Sequence, residues 1–463
     1  MTNRLIVSAA FAGGMAAALG PLLAQEDDGL RQRLRIDQTF GTGKNIGLEI
    51  PAEGRTSLSV TRLTYGLESE TRYQKLAFAL GGALRFGSVA QGNNIDTGFT
   101  DPLVGLRYSR EAANALVSFS ADYRQTDISL AAPLWTFLDD DGIVRPPRDF
   151  SDIQGSGKRR QYRLNATFET GREAPVGLVF TAAANGTRYV NPTDPTLTNY
   201  DNANIGVSTL FRFDAATTGF VDLRYATYEN ENILPTDRET QTVELGFDRD
   251  FSASSRLTAR IGYTDVDTTQ GGVRTKQSGP SGRLGYNRDL VNGNFDTTFT
   301  LTQNQDGQRG TLRFTRSVEL PLGSLSANIG LTSFDSTSPR VIGGLNWQYT
   351  MPSSRLNLRL NRDVFVDAND EDRFTTAFLA GYTYEINAVS SISADLSLWD
   401  SEAGTTTNGV QRGDLVITYE YELTEDWNLN TGIDFRMRDE QTVGTAKSTA
   451  VFFGIGRNFD LSN

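Results

Sequence analysis

The chain contains no histidine and no cysteine, and these absences exclude several kinds of chemistry. Without histidine there is no Ser-His triad, no His-ligated zinc and no His acid–base catalysis. The lack of cysteine removes any disulfide framework but suits an oxidising periplasm or cell surface. A formal net charge of -12 argues against a nucleic-acid partner. We therefore predict that the protein is not an enzyme, and we expect no catalytic, cofactor-binding or metal-binding residues.

Long apolar runs are scarce as well, and the one near the N-terminus is typical of a secretory signal. Arg4 supplies the positive start, an apolar stretch follows from Leu5 to Leu19, and Leu22-Leu23-Ala24 offers a cleavage site before Gln25. The stretch is shorter than the ~20 residues of a membrane-spanning helix and is broken by glycines and Pro21. The sequence thus predicts a signal peptide at residues 1–24 and a short N-terminal segment at residues 25–30.

From Arg31 onward, apolar and polar residues alternate in successive segments, which is the pattern of β-strands. In one such segment Leu356, Leu358 and Leu360 share one face, whereas Arg355 and Arg359 lie on the other. A helix would scatter these faces. The pattern predicts strands with an apolar side toward lipid and a polar side toward a lumen.

The connections between these segments alternate between two lengths, which favours a chain of hairpins. Short connections such as 321–324 follow longer, more polar ones such as 126–158, 266–274 and 303–309. Outer-membrane barrels have this layout, with short turns at the periplasm and long loops outside. The count predicts an all-β fold: a closed antiparallel transmembrane up-and-down β-barrel of about 22 strands (20–24 by this count). It would occupy residues 31–463, with the lipid bilayer of a Gram-negative outer membrane as its partner.

Aromatic and C-terminal residues fit this prediction. Trp347 and Trp427 are expected at the periplasmic rim of the membrane and Trp399 at the outer rim, as interface anchors. The last strand carries apolar residues three and five positions after a glycine, the kind of signal that barrels present to the barrel-assembly machinery. The residues of this signal are Gly456, Phe459 and Leu461.

The residues before the short turns share a sequence pattern that resembles that of a known group. An aromatic-acidic-aliphatic pattern precedes several of them, in residues 247–251, 286–290, 382–386 and 419–423. This resembles the β-barrel porin group of Gram-negative bacteria, and the likeness covers residues 31–463. The C-terminus departs from the commonest pattern, because it ends in Ser462-Asn463. The resemblance implies a pore or an exporter. TonB-dependent transporters also have 22 strands, but residues 25–30 leave no room for their plug domain, so we expect a different class.

A barrel this wide has a lumen, since at ~16–18 strands the interior is already an aqueous channel. Strand parity predicts which charged residues line it and could set ionic selectivity. The alternative is that they are solvated positions paired across strands. The predicted lumen-lining residues are Arg107, Arg124, Arg163, Arg212, Arg224, Arg256, Arg260, Arg313, Arg355, Arg359, Arg436, Asp122, Asp222, Glu244, Asp296, Asp395, Glu420 and Asp434.

The longest connection, residues 126–158, is the candidate for narrowing the pore. Its apolar Leu134, Trp135 and Phe137 favour folding onto the barrel wall. The acidic and basic groups of this connection are segregated, and this arrangement resembles the one that produces a transverse electric field at a porin constriction. The alternative is that the connection is an external surface loop. The constriction residues would be Asp139, Asp140, Asp141, Arg145 and Arg148.

These patterns lead to a functional prediction. The first expectation is a porin-like outer-membrane channel for passive passage of small hydrophilic solutes. The alternatives are an exporter of a surface polysaccharide, a barrel enzyme and a structural surface protein. The sequence leaves the solute and the oligomeric state open.

Overall fold

The computed structural model shows one closed antiparallel barrel of 22 strands, as the sequence predicts. The structure describes residues 29–90, 95–130, 134, 150, 153, 155–231, 234–334, 338–366, 372–403 and 408–461. The predicted signal peptide at residues 1–24 lies outside the described residues, as does most of the segment 25–30. Both assignments stay predictions. Among the described residues, no helix is long and apolar enough to cross a membrane.

Each strand pairs with its neighbours in the sequence, and the last strand returns to the first. The strands are β1 (Leu30–Lys44), β2 (Arg55–Glu70), β3 (Gln74–Ser88), β4 (Gly98–Ala112), β5 (Ala115–Asp127), β6 (Lys158–Thr170), β7 (Val176–Val190), β8 (Tyr200–Arg212), β9 (Thr217–Asn230), β10 (Thr236–Ser252), β11 (Ser255–Gln270), β12 (Val273–Leu290), β13 (Gly293–Asn304), β14 (Gly307–Leu320), β15 (Gly323–Phe334), β16 (Arg340–Met351), β17 (Ser354–Val366), β18 (Asp372–Asn387), β19 (Ser390–Ser401), β20 (Val410–Glu422), β21 (Trp427–Glu440) and β22 (Gly444–Asp460).

Closure of the barrel lets the backbone N–H and C=O groups of every strand form hydrogen bonds inside the hydrocarbon layer. β1 pairs with β22 from Arg33–Asp460 to Lys44–Thr449, so the sheet has no free edge at this seam. The strands contain 12 to 18 residues, more than the ~9–11 that a tilted membrane strand requires. This length lets the sheet extend beyond the membrane. The protein is an outer-membrane barrel of a Gram-negative bacterium, which confirms the predicted fold class and location.

The alternation of side chains separates an outer face from an inner face. On β18, Tyr382 and Tyr384 are each 41% exposed, whereas Ala377 and Leu379 on the opposite face are almost fully buried. Phe40 of β1 and its cross-strand partner Phe453 of β22 are also exposed. Apolar side chains exposed in rows on a closed sheet form the surface that meets lipid.

The strict alternation of short and long connections fails most clearly at two expected loops, each of which is a two-residue turn. Residues 266–274 and 303–309 were expected as loops, but β11 and β12 are joined by Gly271 and Gly272 alone, and β13 and β14 by residues 305–306. Both glycines have positive φ, 55° and 84°, which suits a two-residue hairpin turn. Polar threonines and acids in a strand that extends above the membrane look like loop residues in the sequence, and this explains the error.

Candidate functional site in the barrel lumen

The connection between β5 and β6 reaches the inner wall on the other side of the barrel. Leu134 and Phe150 of this connection form a buried cluster with Ala377 and Leu379 of β18 and Trp399 of β19. The ring of Phe150 meets Trp399 edge to face, with 5.4 Å between centroids. Phe365 of β17 contacts the same tryptophan in the same way, at 5.8 Å. The described part of this connection therefore occupies the lumen.

Polar contacts hold the same connection to β20 and β21. The carbonyl oxygen of Ile153 accepts hydrogen bonds from Arg412 at 2.9 Å and from Arg438 at 3.3 Å. The guanidinium of Arg412 also lies 4.8 Å from the centre of the Phe150 ring. Hydrogen bonds from charged donors are about twice as strong as neutral ones. Buried apolar contacts and hydrogen bonds from charged donors therefore both hold this short stretch of chain against the inner wall.

A second buried group lies where three connections meet β2 and β22. Ile46, Ile95 and Leu130 come from the connections after β1, β3 and β5, and they pack on Leu58 and Ala450. These connections belong to the long-loop end of the barrel. Their apolar residues turn inward, so this side of the lumen is filled from the same end.

A buried ion pair network supports these inward connections. Arg85 of β3 donates to Asp101 at 2.6 Å, to Asp127 at 2.9 Å and to the carbonyl oxygen of Asp96 at 3.1 Å. Asp101 sits at a register shift between β3 and β4 and has a φ of 51°, a conformation that aspartate tolerates better than most residues. The bulge brings this carboxylate to Arg85. Asp127 also accepts from the backbone N–H of Ser129, so one network fixes the start of the long connection.

Two carboxylates in the long-loop connections have shifted pKa values. Burial raises the pKa of Glu49, and the nearby charge of Glu53 adds to the effect. Burial alone would also raise the pKa of Glu402, but hydrogen bonds from Arg340 and Arg362 hold it below its ordinary value. Those bonds measure 2.6 and 2.5 Å. Glu402 therefore remains ionised to lower pH than a free glutamate.

The eighteen predicted lumen residues all lie on the side of their strands opposite the exposed apolar residues. Arg359, for example, is next to exposed Leu360, and Arg436 is next to exposed Phe435. Arg436 shares its face with Arg438, which contacts the connection inside the barrel. Their role in selectivity is not tested by this placement and stays a prediction.

The structure brings some of these residues together and leaves others apart. Arg436 and Asp434 form a buried ion pair, and Arg260 lies 3.5 Å from Asp222. Arg313 pairs with Asp363, which the parity argument did not name, at 2.5 Å. Arg212 instead donates to the carbonyl oxygens of residues 171 and 174 in a short turn, which is a structural contact.

Other predicted and missed residues complete the site. Asp139, Asp140, Asp141, Arg145 and Arg148 lie outside the described residues, so their role as a constriction stays a prediction. The sequence reasoning missed Arg412 and Arg438, although the parity that selected Arg436 would have found Arg438 two residues later. It also missed Arg85, whose inward face follows from exposed Leu84 and Phe86 on either side.

The position of Trp399 differs from the predicted one. We expected it at the outer membrane interface, but it faces the lumen and is only 4% exposed. Its neighbour Leu398 occupies the lipid side with 44% exposure. Both residues are apolar, so the alternation is lost at this point of the sequence and the aromatic ring was assigned to the wrong face.

The C-terminal residues take up their expected strand. Gly456 pairs with Asp37 of β1, Phe459 pairs with Leu34, and Leu461 donates its backbone N–H to Gln32. They lie at the short-turn end of the closing seam. Recognition by the assembly machinery is not tested by these contacts and stays a prediction.

Comparisons with known proteins give matches in structure alone. No protein-family model matches the chain, and no curated protein matches its sequence. Among solved structures, the FrpB iron transporter of Neisseria meningitidis (F5-1 variant) matches with a TM-score of 0.60 and 10% identity, covering 94% of this chain and 83% of that one. The ferric-catecholate import receptor Fiu of E. coli K12 matches with 0.56 and 11%, covering 94% and 82%.

A third solved structure also matches the barrel. A mutant of the ferric enterobactin receptor PfeA of Pseudomonas aeruginosa, in complex with enterobactin, has a TM-score of 0.54 and 7% identity, covering 94% and 82% of the two chains. At such low identities these likenesses show the barrel fold. The proteins they name are transporters and receptors.

These findings correct the functional expectation. The predictions of a passive porin-like channel and of a polysaccharide exporter are wrong, because the matching structures are iron transporters and siderophore receptors. The resemblance to the β-barrel porin group is not confirmed. The matching barrels are TonB-dependent receptors, so the barrel fold does not exclude that class. Strand number and hairpin layout are common to many barrel classes, so the repeated hairpins could not decide between them.

Proposed function

We propose that the protein is an outer-membrane receptor and transporter for one small anionic metal chelate, of the ferric-catecholate kind. The observation that supports this most is the docking of the β5–β6 connection onto the opposite inner wall, through Phe150 and Ile153. A lumen occupied in this way suits controlled passage of a recognised ligand better than free diffusion. The names of the matching proteins supply the ligand class: iron, ferric catecholate and ferric enterobactin.

Arginine–aromatic pairs on the inner face suit such a ligand. Near the loop end, the guanidinium of Arg238 lies 4.8 Å from the ring centre of Tyr228, and that of Arg309 lies 5.1 Å from Phe334. All four side chains share the lumen parity of their strands. A guanidinium offers forked hydrogen bonds to oxygen anions and also stacks on planar rings. A catecholate presents both a ring and negatively charged oxygens, so the guanidinium groups of Arg238 and Arg309 are the proposed ligand contacts, while the buried ring of Tyr228 supports Arg238.

Several other inner arginines are engaged within the barrel, as Arg309 is in part by Asp372 at 3.5 Å. Arg85, Arg412 and Arg436 are engaged by carboxylates or by backbone oxygens. We expect binding to weaken as salt rises, because salt screens the attraction between the anionic oxygens of the ligand and the guanidinium groups of Arg238 and Arg309.

Electrical recording on the intact protein tests the proposal. In a planar bilayer without ligand, the purified mature protein should give no sustained ohmic conductance, because the connection fills part of the lumen. A variant lacking residues 131–150 should conduct, since it lacks Leu134 and Phe150. Heat-modifiable gel mobility would show that both proteins are folded. Sustained porin-like steps from the intact, folded protein would overturn the proposal.

A further inference from the structure

Three cations gather on the outer face of the barrel at the closing seam. Lys44 of β1 is paired in register with Arg55 of β2 and with Thr449 of β22, and Lys447 lies two residues further toward the loops. All three share the outer parity of Phe40, Leu63 and Val451, and all three are exposed. Two of the five lysines in the chain therefore lie in this one patch.

The three cations have no carboxylate partner among the described residues, whereas several other cations on the same face do. At the same end of the barrel, Arg188 is paired with Asp201, and Arg274 with Asp267. The outer carboxylate on the neighbouring strand β21, Asp439, accepts a hydrogen bond from Thr445. On a chain with a net charge of -12, three unpaired cations side by side are suited to an external anion.

A groove opens in the outer face directly below these cations. It has a volume of about 560 Å³, and its outer lining includes Phe40, Thr42, Ser57, Ser59 and Phe453. The small hydroxyl side chains replace the bulky apolar residues that other strands present to lipid, and this creates the recess. Thr42 and Ser57 are two residues from Lys44 and Arg55, a distance of ~7 Å along the strands at 3.3 Å per residue.

We propose that this patch is a binding site for a phosphorylated, acylated glycolipid of the outer leaflet. Its phosphates would contact Lys44, Arg55 and Lys447, and one acyl chain would lie in the groove beside Phe40 and Phe453. The long connections mark the external end of the barrel, so the cations are at the level of the outer headgroups. Cations at a membrane surface attract anionic lipid, and the recess adds contact area for a chain.

The test measures binding of bisphosphorylated lipid A to the full-length folded protein in detergent by native mass spectrometry. The variant Lys44→Gln/Arg55→Gln/Lys447→Gln should bind on the order of a hundredfold more weakly, because each such cation contributes about fivefold. A matched control, Arg188→Gln/Arg274→Gln/Lys276→Gln, removes equal charge at the same level from cations that already have carboxylate partners. The control should bind like the wild type.

Further measurements distinguish the contribution of the lipid headgroup from that of its acyl chain. Ser57→Phe should weaken lipid A binding by filling the groove while leaving the cations in place, and dephosphorylated lipid A should bind poorly to every variant. Inorganic phosphate should not compete at concentrations that match the lipid. The proposal is overturned if the triple variant binds lipid A like the wild type. It is also overturned if both triple variants lose binding equally, or if dephosphorylated lipid A or inorganic phosphate binds as well as lipid A.

Discussion

Replacing Phe150 by alanine should release the β5–β6 connection from the inner wall. Phe150 is 2% exposed, its ring meets Trp399 at 5.4 Å, and Arg412 lies over its face. Truncating a buried phenylalanine costs about 3–5 kcal/mol, to which the ring pair contributes about 0.5–1.5 kcal/mol. The bonds to Ile153 remain, at about 1.5–3 kcal/mol each for charged donors. The docked state should therefore lose roughly two to nearly four orders of magnitude of its preference over the released state.

Single-channel recording measures this release. The Phe150→Ala protein should open in bursts that the wild type lacks, with a conductance approaching that of the deletion of residues 131–150. The matched control is Phe180→Ala, which truncates an aromatic residue that stacks on Phe168 at 6.0 Å on the lipid side. That control should leave the current unchanged. A folded Phe150→Ala protein with wild-type currents would refute the reasoning, because the docking contact would then not govern passage.

Three further predictions concern stability and orientation. Arg85→Met should cost about 3–5 kcal/mol, since it leaves the buried carboxylates of Asp101 and Asp127 without their cation, and an unchanged unfolding midpoint in heat-modifiable electrophoresis would count against this. The pKa of Glu402 is depressed, so its stabilisation is present above pH 4.5 and is lost as the pH falls through the folded-state value. Glu402→Gln should thus lower the melting temperature at pH 7, and this loss should shrink as the pH falls below 4.5; a loss that stays equal at every pH would disprove the assignment. Leu360→Arg should cost about 2–4 kcal/mol in a bilayer and Asn361→Arg much less, and equal costs would mean that the faces are assigned wrongly.

The barrel itself could be predicted from the sequence because lipid enforces a local rule. Every membrane strand must place apolar residues on one face, so Leu356, Leu358 and Leu360 reveal their orientation without any long-range information. Hairpin pairing is also local, which is why counting segments gave the observed 22 strands. The rule fails where both neighbours are apolar, as at Leu398 and Trp399, and where a polar strand rises above the membrane, as at residues 266–274.

The contents of the lumen could not be predicted in the same way. Whether Leu134 and Phe150 fold inward depends on Leu379 and Trp399, which lie more than two hundred residues later in the chain. The contact of Ile153 with Arg412 spans 259 positions. No periodic pattern encodes such pairs. The functional prediction treated a wide barrel as an open one, whereas the described part of the β5–β6 connection lies in the lumen.

Titration with a ferric chelate tests the central claim most directly. Trp399 lies in the lumen, so its fluorescence should be quenched when a chelate that absorbs at its emission wavelength binds nearby. We expect saturable quenching by ferric enterobactin, weakened in Arg238→Gln and Arg309→Gln and reduced in amplitude in Trp399→Phe. A neutral sugar such as maltose should give no response. Folded wild-type protein that shows no saturable response to ferric enterobactin, or a response that is unchanged in both arginine variants, would contradict the account.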